Sequence, residues 1–294
     1  MSLSFDNRDG WIWLNGSYVS WREATSHIIN QGLHYSSTVF EGERAYNGKI
    51  FKSKKHTDRL FNSATILGIS IPYSKDEINQ AKEGLIKKMN FSNCYVRPIV
   101  WRGSQQMGLS TSKADIHVAI AAWDDWASYF KTEDRLKGLR LITSPWKRPS
   151  PDSAPHEAKA SGLYMICTMS KEFAERKGYN DALMLDHRNF VAEGTGANIF
   201  FIKGNKIDTP IPDCFLNGIT RQTVIEIINN KGFHLEEKYI KPEDLNNYDE
   251  AFLTGTAAEV TPISSIDGVK FAIGQNTKTF NLMNDFTDFV HSSH

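Results

Sequence analysis

Lys159 is the residue of this sequence whose surroundings most suggest covalent chemistry. It lies between Ala158 and the small residues at positions 160–162, which leave space for a planar ring close to the backbone. A lysine whose amine forms a Schiff base needs such space, and the freed amine can act as a base. Lysine and arginine together number 34, and most such residues are solvated surface charges. On these surroundings alone, a Schiff-base role for Lys159 is therefore a hypothesis.

Two segments rich in small residues could bring the backbone close to an anion. Asn217, Gly218 and Thr220 come directly before a helical pattern, and the N–H groups at a helix N-terminus bind phosphate. Thr256 belongs to a second run of small residues, 254–258, which follows a strand-like stretch. An ordinary helix cap and an ordinary turn would use the same residues, so both interpretations stay open at this point.

Signatures of several other enzyme classes are absent from the sequence. Residues 42–49 have the wrong spacing for a P-loop, and residues 194–199 begin like a dinucleotide fingerprint but continue into a strand. There is no GxSxG and no HExxH, and the three cysteines are far apart. The sequence therefore favours neither a serine hydrolase nor a zinc enzyme, and we expect no metal site.

The composition argues against several kinds of partner. The 294 residues carry 34 basic and 34 acidic side chains, a formal net charge of zero, so nucleic acid binding is not expected. The longest apolar stretch, near residues 118–123, is far shorter than the roughly 18 residues that a membrane span needs. The first residues lack a basic segment followed by an apolar one. We expect a cytoplasmic protein with small-molecule substrates and no membrane partner.

Local patterns predict the elements of the first 123 residues. Asn-Gly dipeptides at 15–16 and 47–48 are flanked by strand-like residues, and this dipeptide supplies the positive φ angles of a tight hairpin. Helical spacing of apolar residues ends at Gly68, and Ser74 with Glu77 forms a capping box before a second helix. Further strands are predicted at 94–101 and 115–123.

The rest of the chain predicts a second, larger domain. A charged stretch, 124–137, is the expected linker between domains at 1–123 and 138–294. A strand at 139–143 and a proline-rich loop at 145–155 follow it. Because strands come as hairpins with helices between them, the predicted fold class is α+β and not a doubly wound parallel sheet. The remaining elements predicted are helices at 161–177, 220–231 and 277–290 and strands at 181–186 and 190–202.

Several motifs that occur in one order along the chain resemble those of the class IV pyridoxal phosphate (PLP) aminotransferases. Within that family the sequence most resembles the branched-chain amino acid aminotransferases, from about residue 11 to residue 267. The motifs are His34-Tyr35, Val39-Phe40-Glu41-Gly42 with Arg44-Ala45-Tyr46, His56-Thr57-Asp58-Arg59-Leu60, Tyr95-Val96-Arg97-Pro98, Lys159 with Tyr164, Glu193, Gly218-Ile219-Thr220-Arg221 and Gly255-Thr256-Ala257-Ala258-Glu259.

The resemblance implies a fold and a cofactor site. The fold is the two-domain fold type IV, like D-amino acid aminotransferase, with a small α/β domain and a larger pseudo-barrel domain. The implied cofactor is PLP, bound covalently by Lys159, which then moves the proton between substrate and cofactor. Glu193 is expected at the pyridine nitrogen and Tyr164 at the ring oxygen. The residues implied for the phosphate are Arg59, Gly218, Ile219, Thr220 and Thr256.

The resemblance also implies a substrate site that a second subunit completes. The expected reaction is transamination between leucine, isoleucine or valine and 2-oxoglutarate, as in branched-chain amino acid biosynthesis. Tyr95, Thr256 and Ala257 are expected at the substrate carboxylate, and Arg97 at the distal carboxylate of glutamate. The pocket residues implied are Phe40, Tyr129 and Tyr164, with Tyr35 and Leu109 from the partner subunit. A homodimer or a higher homo-oligomer is therefore expected.

Other interpretations are compatible with the same lysine. A D-amino acid transaminase or an aminodeoxychorismate lyase would share Lys159 and Glu193, and a non-enzymatic binding module could keep the same fold. The residues around Tyr95 and Thr256 favour the branched-chain enzymes, and retention of the expected catalytic residues favours an enzyme.

Three positions depart from the family pattern. Glu43 replaces a usually apolar residue, Asn217 replaces a usual proline, and Leu163 stands at an often polar position. The first departure could alter substrate preference, whereas the other two are not expected to affect the chemistry.

Overall fold

The structure is a computed structural model that describes residues 4–124 and 136–292. The chain divides into two compact units. Among the described residues, the first unit contains 4–124 and 158–162, and the second contains 136–157 and 163–292.

The expected domains, 1–123 and 138–294, place residues 158–162 in the second domain. In the structure these residues belong to the first unit. This places Lys159 with the N-terminal part of the chain. Most of the expected linker, 124–137, lies outside the described residues, as does Tyr129, so the domain limits stay a prediction.

The first unit contains a seven-stranded sheet in which all pairs are antiparallel. The sheet order is β2-β1-β7-β6-β4-β5, and β3 pairs with the second half of β6. Its strands are β1 (Trp11–Leu14), β2 (Ser17–Ser20), β3 (Thr38–Phe40), β4 (Glu43–Tyr46), β5 (Lys49–Ile50), β6 (Cys94–Arg102) and β7 (Ile116–Trp123). Its helical segments are α1 (Gln31–Tyr35), α2 (Ser53–Ile66), α3 (Lys75–Lys88) and a 3-10 turn, Trp21–Glu23.

The local signals in this unit act as predicted. Asn15 and Asn47 have φ angles of 49° and 50°, and each is followed by a glycine with positive φ, so both Asn-Gly turns close hairpins. The Ser74 hydroxyl accepts from the Glu77 N–H while the Glu77 carboxylate accepts from the Ser74 N–H. This capping box begins α3 at the expected place.

Strand β6 separates the core of the unit from its candidate site. Along β6 every second side chain is buried, and the residues between them are half-buried. Val96 and Val100 face the core and are fully buried, so Tyr95 and Arg97 lie together on the opposite face. The strand pleat therefore keeps two polar side chains out of the apolar core.

The second unit contains a nine-stranded mixed sheet. Its strands are β8 (Leu139–Thr143), β9 (Asp181–Leu185), β10 (Val191–Glu193), β11 (Asn198–Lys203), β12 (Lys206–Pro210), β13 (His234–Lys238), β14 (Glu250–Gly255), β15 (Glu259–Ile266) and β16 (Val269–Lys270). Its helices are α4 (Met165–Arg176), α5 (Ile219–Asn230) and α6 (Lys278–Ser292), and a 3-10 turn covers Pro242–Asn247. A further 3-10 turn, Ser161–Tyr164, begins in the residues of the first unit and ends in those of the second. None of the helices within residues 4–124 and 136–292 is both long enough and apolar enough to cross a membrane.

Six strands of this unit close on themselves. The order β10-β9-β8-β15-β14-β11 returns to β10 because β10 also pairs with β11. The expected pseudo-barrel is thus present in the second unit. Apolar side chains fill its core, among them Leu139, Leu141, Leu183, Val191, Ile199, Phe201, Leu253 and Ile263.

The strand predicted at 190–202 is wrong as a single element. It is two antiparallel strands, β10 and β11, in which Glu193 pairs with Asn198. A tight turn separates them: the Gly194 N–H donates to the Ala197 carbonyl at 2.8 Å, and the Thr195 hydroxyl donates to the buried Asp181 carboxylate at 2.6 Å. These contacts reverse the chain directly after Glu193.

Candidate functional site

The backbone of Lys159 is fixed on both sides within the first unit. Its N–H donates to the Ser63 hydroxyl at 2.9 Å, and its carbonyl accepts from the Phe40 N–H at 3.1 Å. The next residue, Ala160, forms an antiparallel bridge with Val39. The segment after the proline-rich loop therefore extends the pairing of β3 and holds the lysine in place.

The Lys159 amine lies in an environment that favours its neutral form. Burial, followed by the nearby positive charge of Arg59, lowers the pKa of Lys159 to about 8, although Glu41 and Tyr95 act in the opposite direction. Its Nζ atom is 5.0 Å from the centroid of the Phe40 ring. Since a neutral amine is the nucleophilic form, this environment suits covalent chemistry.

Arg59 is held by a buried carboxylate. Its Nε and Nη2 atoms donate to Glu41 at 2.6 and 2.9 Å, and His56 Nδ1 lies 2.6 Å from Glu41 Oε2. Burial by itself would raise the pKa of Glu41, but Arg59 and His56 lower it well below its usual range. The two-point contact fixes the plane of the guanidinium.

Arg97 and Tyr95 lie side by side on the open face of β6. Arg97 Nη2 donates to the Tyr95 hydroxyl at 3.2 Å, and the guanidinium carbon is 4.8 Å from the centroid of the Phe40 ring. Within the described residues, Arg97 Nε is a buried donor without an acceptor. An anionic ligand is one way to satisfy such a donor. The contact to Tyr95 also gives Arg97 a bracing role.

Glu43, the departure that could alter substrate preference, is turned toward the helices. Its carboxylate is fully buried and binds Lys82 Nζ at 2.8 and 3.0 Å, and Lys82 also donates to the Thr57 hydroxyl at 2.8 Å. Burial raises the pKa of Glu43, and the Lys82 charge acts against this. The structure therefore gives Glu43 a partner from α3.

In the second unit, Glu193 lies at the end of β10 between two side chains. Arg148 Nε is 3.4 Å from its Oε1 atom, and the Asn198 amide donates to its Oε2 atom at 3.1 Å. Glu193 and Arg148 are both buried. These contacts leave a carboxylate in a fixed position, which could bind a protonated ring nitrogen.

Asn198 links Glu193 to the N-terminus of α5. Its Oδ1 atom accepts from the Gly218 N–H at 3.1 Å. A Cβ atom on Gly218 would lie 2.3 Å from the same Oδ1, so a larger residue there would displace the Asn198 side chain from this contact. Gly218 is the N-cap of α5 and has no side-chain cap, and Ile219 and Thr220 begin the helix with N–H groups of the first turn.

The loop between β14 and β15 lies at the same end of the barrel. Thr254 pairs with Asn198 across β14 and β11, and Thr256 and Ala257 follow in a half-buried turn. Gly255 packs against the turn between β10 and β11. A Cβ atom on Gly255 would lie 3.4 Å from the Gly196 carbonyl oxygen and 3.4 Å from the Ala197 Cβ. The turn thus brings two expected ligand residues near the α5 N-terminus.

The other expected site residues that the structure describes are half-buried or exposed. Tyr164 is half-buried and precedes α4. Tyr35 and Leu109 are 46% and 85% exposed, so neither contributes to the interior of its own unit. Tyr129 is outside the described residues.

Residues outside the quoted motifs also belong to these clusters. Ser63 is four residues after Arg59 and thus on the same side of α2. This spacing is the sequence signal that could have indicated Ser63. No local sequence pattern indicates that Asn198 and Arg148 contact Glu193.

One further cluster has the donor types of a metal site. Asp186, Asp213 and Cys214 bring their ligand atoms together in the second unit. Arg188 Nη2 donates to both carboxylates, at 2.7 Å to Asp186 and 2.9 Å to Asp213, and burial raises the pKa of Cys214 to about 12. The Arg188 guanidinium therefore binds the two carboxylates that a metal ion would need.

The sequence matches a known protein family and several of its members. Residues 38–266 match the family model for amino-transferase class IV. A branched-chain-amino-acid aminotransferase of Pseudomonas aeruginosa is 44% identical over 277 residues, covering 93% of this chain and 90% of the relative. That of Escherichia coli K12 is 34% identical over 270 residues, covering 90% and 87%.

Solved structures give the same result. The branched-chain aminotransferase of Thermoproteus uzoniensis with norvaline superposes with a TM-score of 0.90 at 35% identity, covering 96% of this chain and 95% of that one. The branched-chain amino acid aminotransferase of Thermobaculum terrenum in its PLP form gives a TM-score of 0.87 at 28% identity, covering 97% and 95%.

The chain therefore belongs to the class IV aminotransferase family. Within that family it groups with the branched-chain amino acid aminotransferases. The family and the fold type IV inferred from the motifs are both confirmed.

Proposed function

We propose that this chain transfers the amino group between leucine, isoleucine or valine and 2-oxoglutarate, giving branched-chain 2-oxo acids and L-glutamate. Pyridoxal 5'-phosphate is its cofactor. The observation that carries the proposal is the buried Lys159, whose pKa of about 8 and proximity to Arg59 suit an amine that bonds to a phosphorylated aldehyde.

The residues present fit this cofactor. Lys159 offers a buried amine, and Arg59 offers a fixed guanidinium. Glu193 offers a buried carboxylate, and Gly218 is the N-cap of a helix whose first N–H groups can bind an anion. Amine, cation, carboxylate and backbone N–H groups are the set that PLP requires.

Each residue then has a defined task. PLP, when bound, would withdraw electrons from the substrate Cα. The Lys159 amine would hold and move the proton of that carbon. Glu193 keeps a proton on the ring nitrogen, and Arg148 and Asn198 keep Glu193 in place. Arg59, Gly218, Ile219, Thr220 and Thr256 bind the phosphate, and Tyr164 binds the ring oxygen.

The substrate side combines aromatic rings with one cation. Phe40 and Tyr95 offer apolar surface, and Arg97 beside them offers charge. Tyr95, Thr256 and Ala257 bind the carboxylate next to Cα, and Arg97 binds the distal carboxylate of glutamate. One pocket thereby accepts an apolar side chain and an acidic one.

A homodimer or higher homo-oligomer is the proposed assembly. Apolar side chains are exposed around α1 and the loop near residue 109, namely Ile28, Leu33, Tyr35, Met107 and Leu109. Gln31 Nε2 ties the two segments together by donating to the Gly108 and Ser110 carbonyls at 2.9 and 2.5 Å. Such a patch suits a second copy, to whose pocket Tyr35 and Leu109 contribute. The proposed location is the cytoplasm, with which the free thiols of Cys94, Cys167 and Cys214 are consistent.

The proposal is tested by kcat/KM for a panel of amino donors with 2-oxoglutarate as acceptor. L-leucine, L-isoleucine and L-valine should react, and D-alanine should not. Lys159→Ala should abolish the reaction. Turnover of D-alanine in place of the branched-chain donors would contradict the assignment, and so would wild-type activity in Lys159→Ala.

A further inference from the structure

One side of helix α2 carries three polar residues that reach different partners. His56, Arg59 and Ser63 are three and then four residues apart, so they lie along one face. The first two bind Glu41, and Ser63, which is fully buried, binds Lys159. The same helix therefore contacts both the carboxylate that orients Arg59 and the backbone of Lys159.

The Ser63 hydroxyl binds the backbone of the residue that carries the reactive amine. It satisfies the N–H of the lysine itself, 96 residues away in the chain. A buried N–H that loses its acceptor is unfavourable, so the peptide would shift toward another acceptor and move the amine with it. Displacements of about 1 Å can lower reaction rates by about 100-fold.

We propose that Ser63 is a positioning residue for Lys159, because its hydroxyl ties the backbone of the lysine to the helix that carries Arg59. The inference rests on the proposed function, in which Lys159 bonds to PLP and Arg59 binds its phosphate. Helix α2 then sets the positions of both groups relative to each other. Ser63 contacts neither substrate nor cofactor in this account.

The test compares two forms of the cofactor. PLP has an aldehyde that bonds to Lys159, whereas pyridoxamine 5'-phosphate has an amine and cannot bond, but has the same phosphate. Both are titrated into the apoenzyme by calorimetry. In Ser63→Ala the ratio of PLP affinity to pyridoxamine 5'-phosphate affinity should fall about tenfold, as expected for one lost buried hydrogen bond. The affinity for pyridoxamine 5'-phosphate itself should stay within about twofold.

Two variants control for folding. Alanine is the best helix former, so Ser63→Ala should fold, and Ser63→Cys, which keeps a weak acceptor, should give an intermediate ratio. Ser170 is also fully buried in a helix, with its hydroxyl 2.7 Å from that of Ser144. Ser170→Ala should leave the ratio unchanged.

The outcomes separate this inference from the proposed function. An unchanged ratio in Ser63→Ala, or an equal loss for both ligands, overturns the positioning role. Lys159→Ala should remove the preference for PLP, and Arg59→Met should weaken both ligands. If these two variants behave otherwise, the proposed function fails at those residues, whatever the result for Ser63.

Discussion

Arg97 contacts two aromatic side chains and carries a buried donor, and these contacts determine what its removal should do. Arg97→Met keeps much of the side chain's length and removes the charge. Reaction with glutamate should fall by about one to two decades in kcat/KM, because a hydrogen bond to a charged partner contributes about 1.5–3 kcal/mol. Reaction with leucine should fall less. Stopped-flow absorbance of the two half-reactions measures this, and equal losses would show that Arg97 only braces Tyr95.

The lowered pKa of Lys159 predicts how cofactor uptake depends on pH. Burial and Arg59 lower this pKa from 10.5 to about 8. The neutral amine therefore predominates above pH 8, and its fraction falls about tenfold per pH unit below that value. The rate at which the apoenzyme bonds PLP should rise with pH up to about 8 and then level off. A rate that continues to rise through pH 10 would indicate a lysine with an ordinary pKa.

At the scale of secondary structure, the Glu43 and Lys82 pair connects β4 to α2 and α3. Both side chains are fully buried, and removing one partner leaves a buried charge uncompensated. Glu43→Leu or Lys82→Met alone should lower the free energy of unfolding by about 3–5 kcal/mol, and the double variant should recover most of this loss. Urea unfolding provides the measurement.

An exposed ion pair provides the control for that cycle. Lys75 and Asp58 are 2.6 Å apart, with side chains 52% and 60% exposed, so Lys75→Met should cost less than about 1 kcal/mol. If the double variant at Glu43 and Lys82 were no more stable than the worse single variant, the two residues would not act as a pair.

Elements with strong local signals could be predicted from the sequence. The Asn-Gly turns and the Ser74 capping box depend on residues within four positions of each other, and the structure has them where expected. The division of 190–202 into two strands could not be predicted this way, because a contact from Thr195 to Asp181 fixes the turn.

The candidate site shows the same limit. The motifs predicted site roles for Lys159, Arg59 and Glu193, since each motif is short and local. The residues that hold them, such as Ser63 for Lys159 and Asn198 for Glu193, are brought in by the fold. Lys82 joins Glu43 across 39 positions, so a departure that looked relevant to substrate preference has a structural partner.

At the scale of the whole molecule, the exposed patch around Leu109 should determine the assembly. Light scattering should give about twice the chain mass of 33.3 kDa, or a higher multiple. Leu109→Glu should shift this mass toward the monomer and lower activity, because burial of an unpaired charge is costly. Ile273→Glu, at a residue 41% exposed in the second unit, should change neither. A monomeric wild-type enzyme with full activity would contradict the shared pocket.

Borohydride reduction followed by peptide mapping tests the central claim most directly. In the protein with PLP alone, the reduced cofactor should be attached to the peptide that contains Lys159. Prior addition of L-leucine without a 2-oxo acid should prevent labelling, because transamination converts the aldehyde to the amine and frees the lysine, whereas D-alanine should not prevent it. A label on another lysine, or labelling of Lys159 that L-leucine leaves unchanged, would contradict the account.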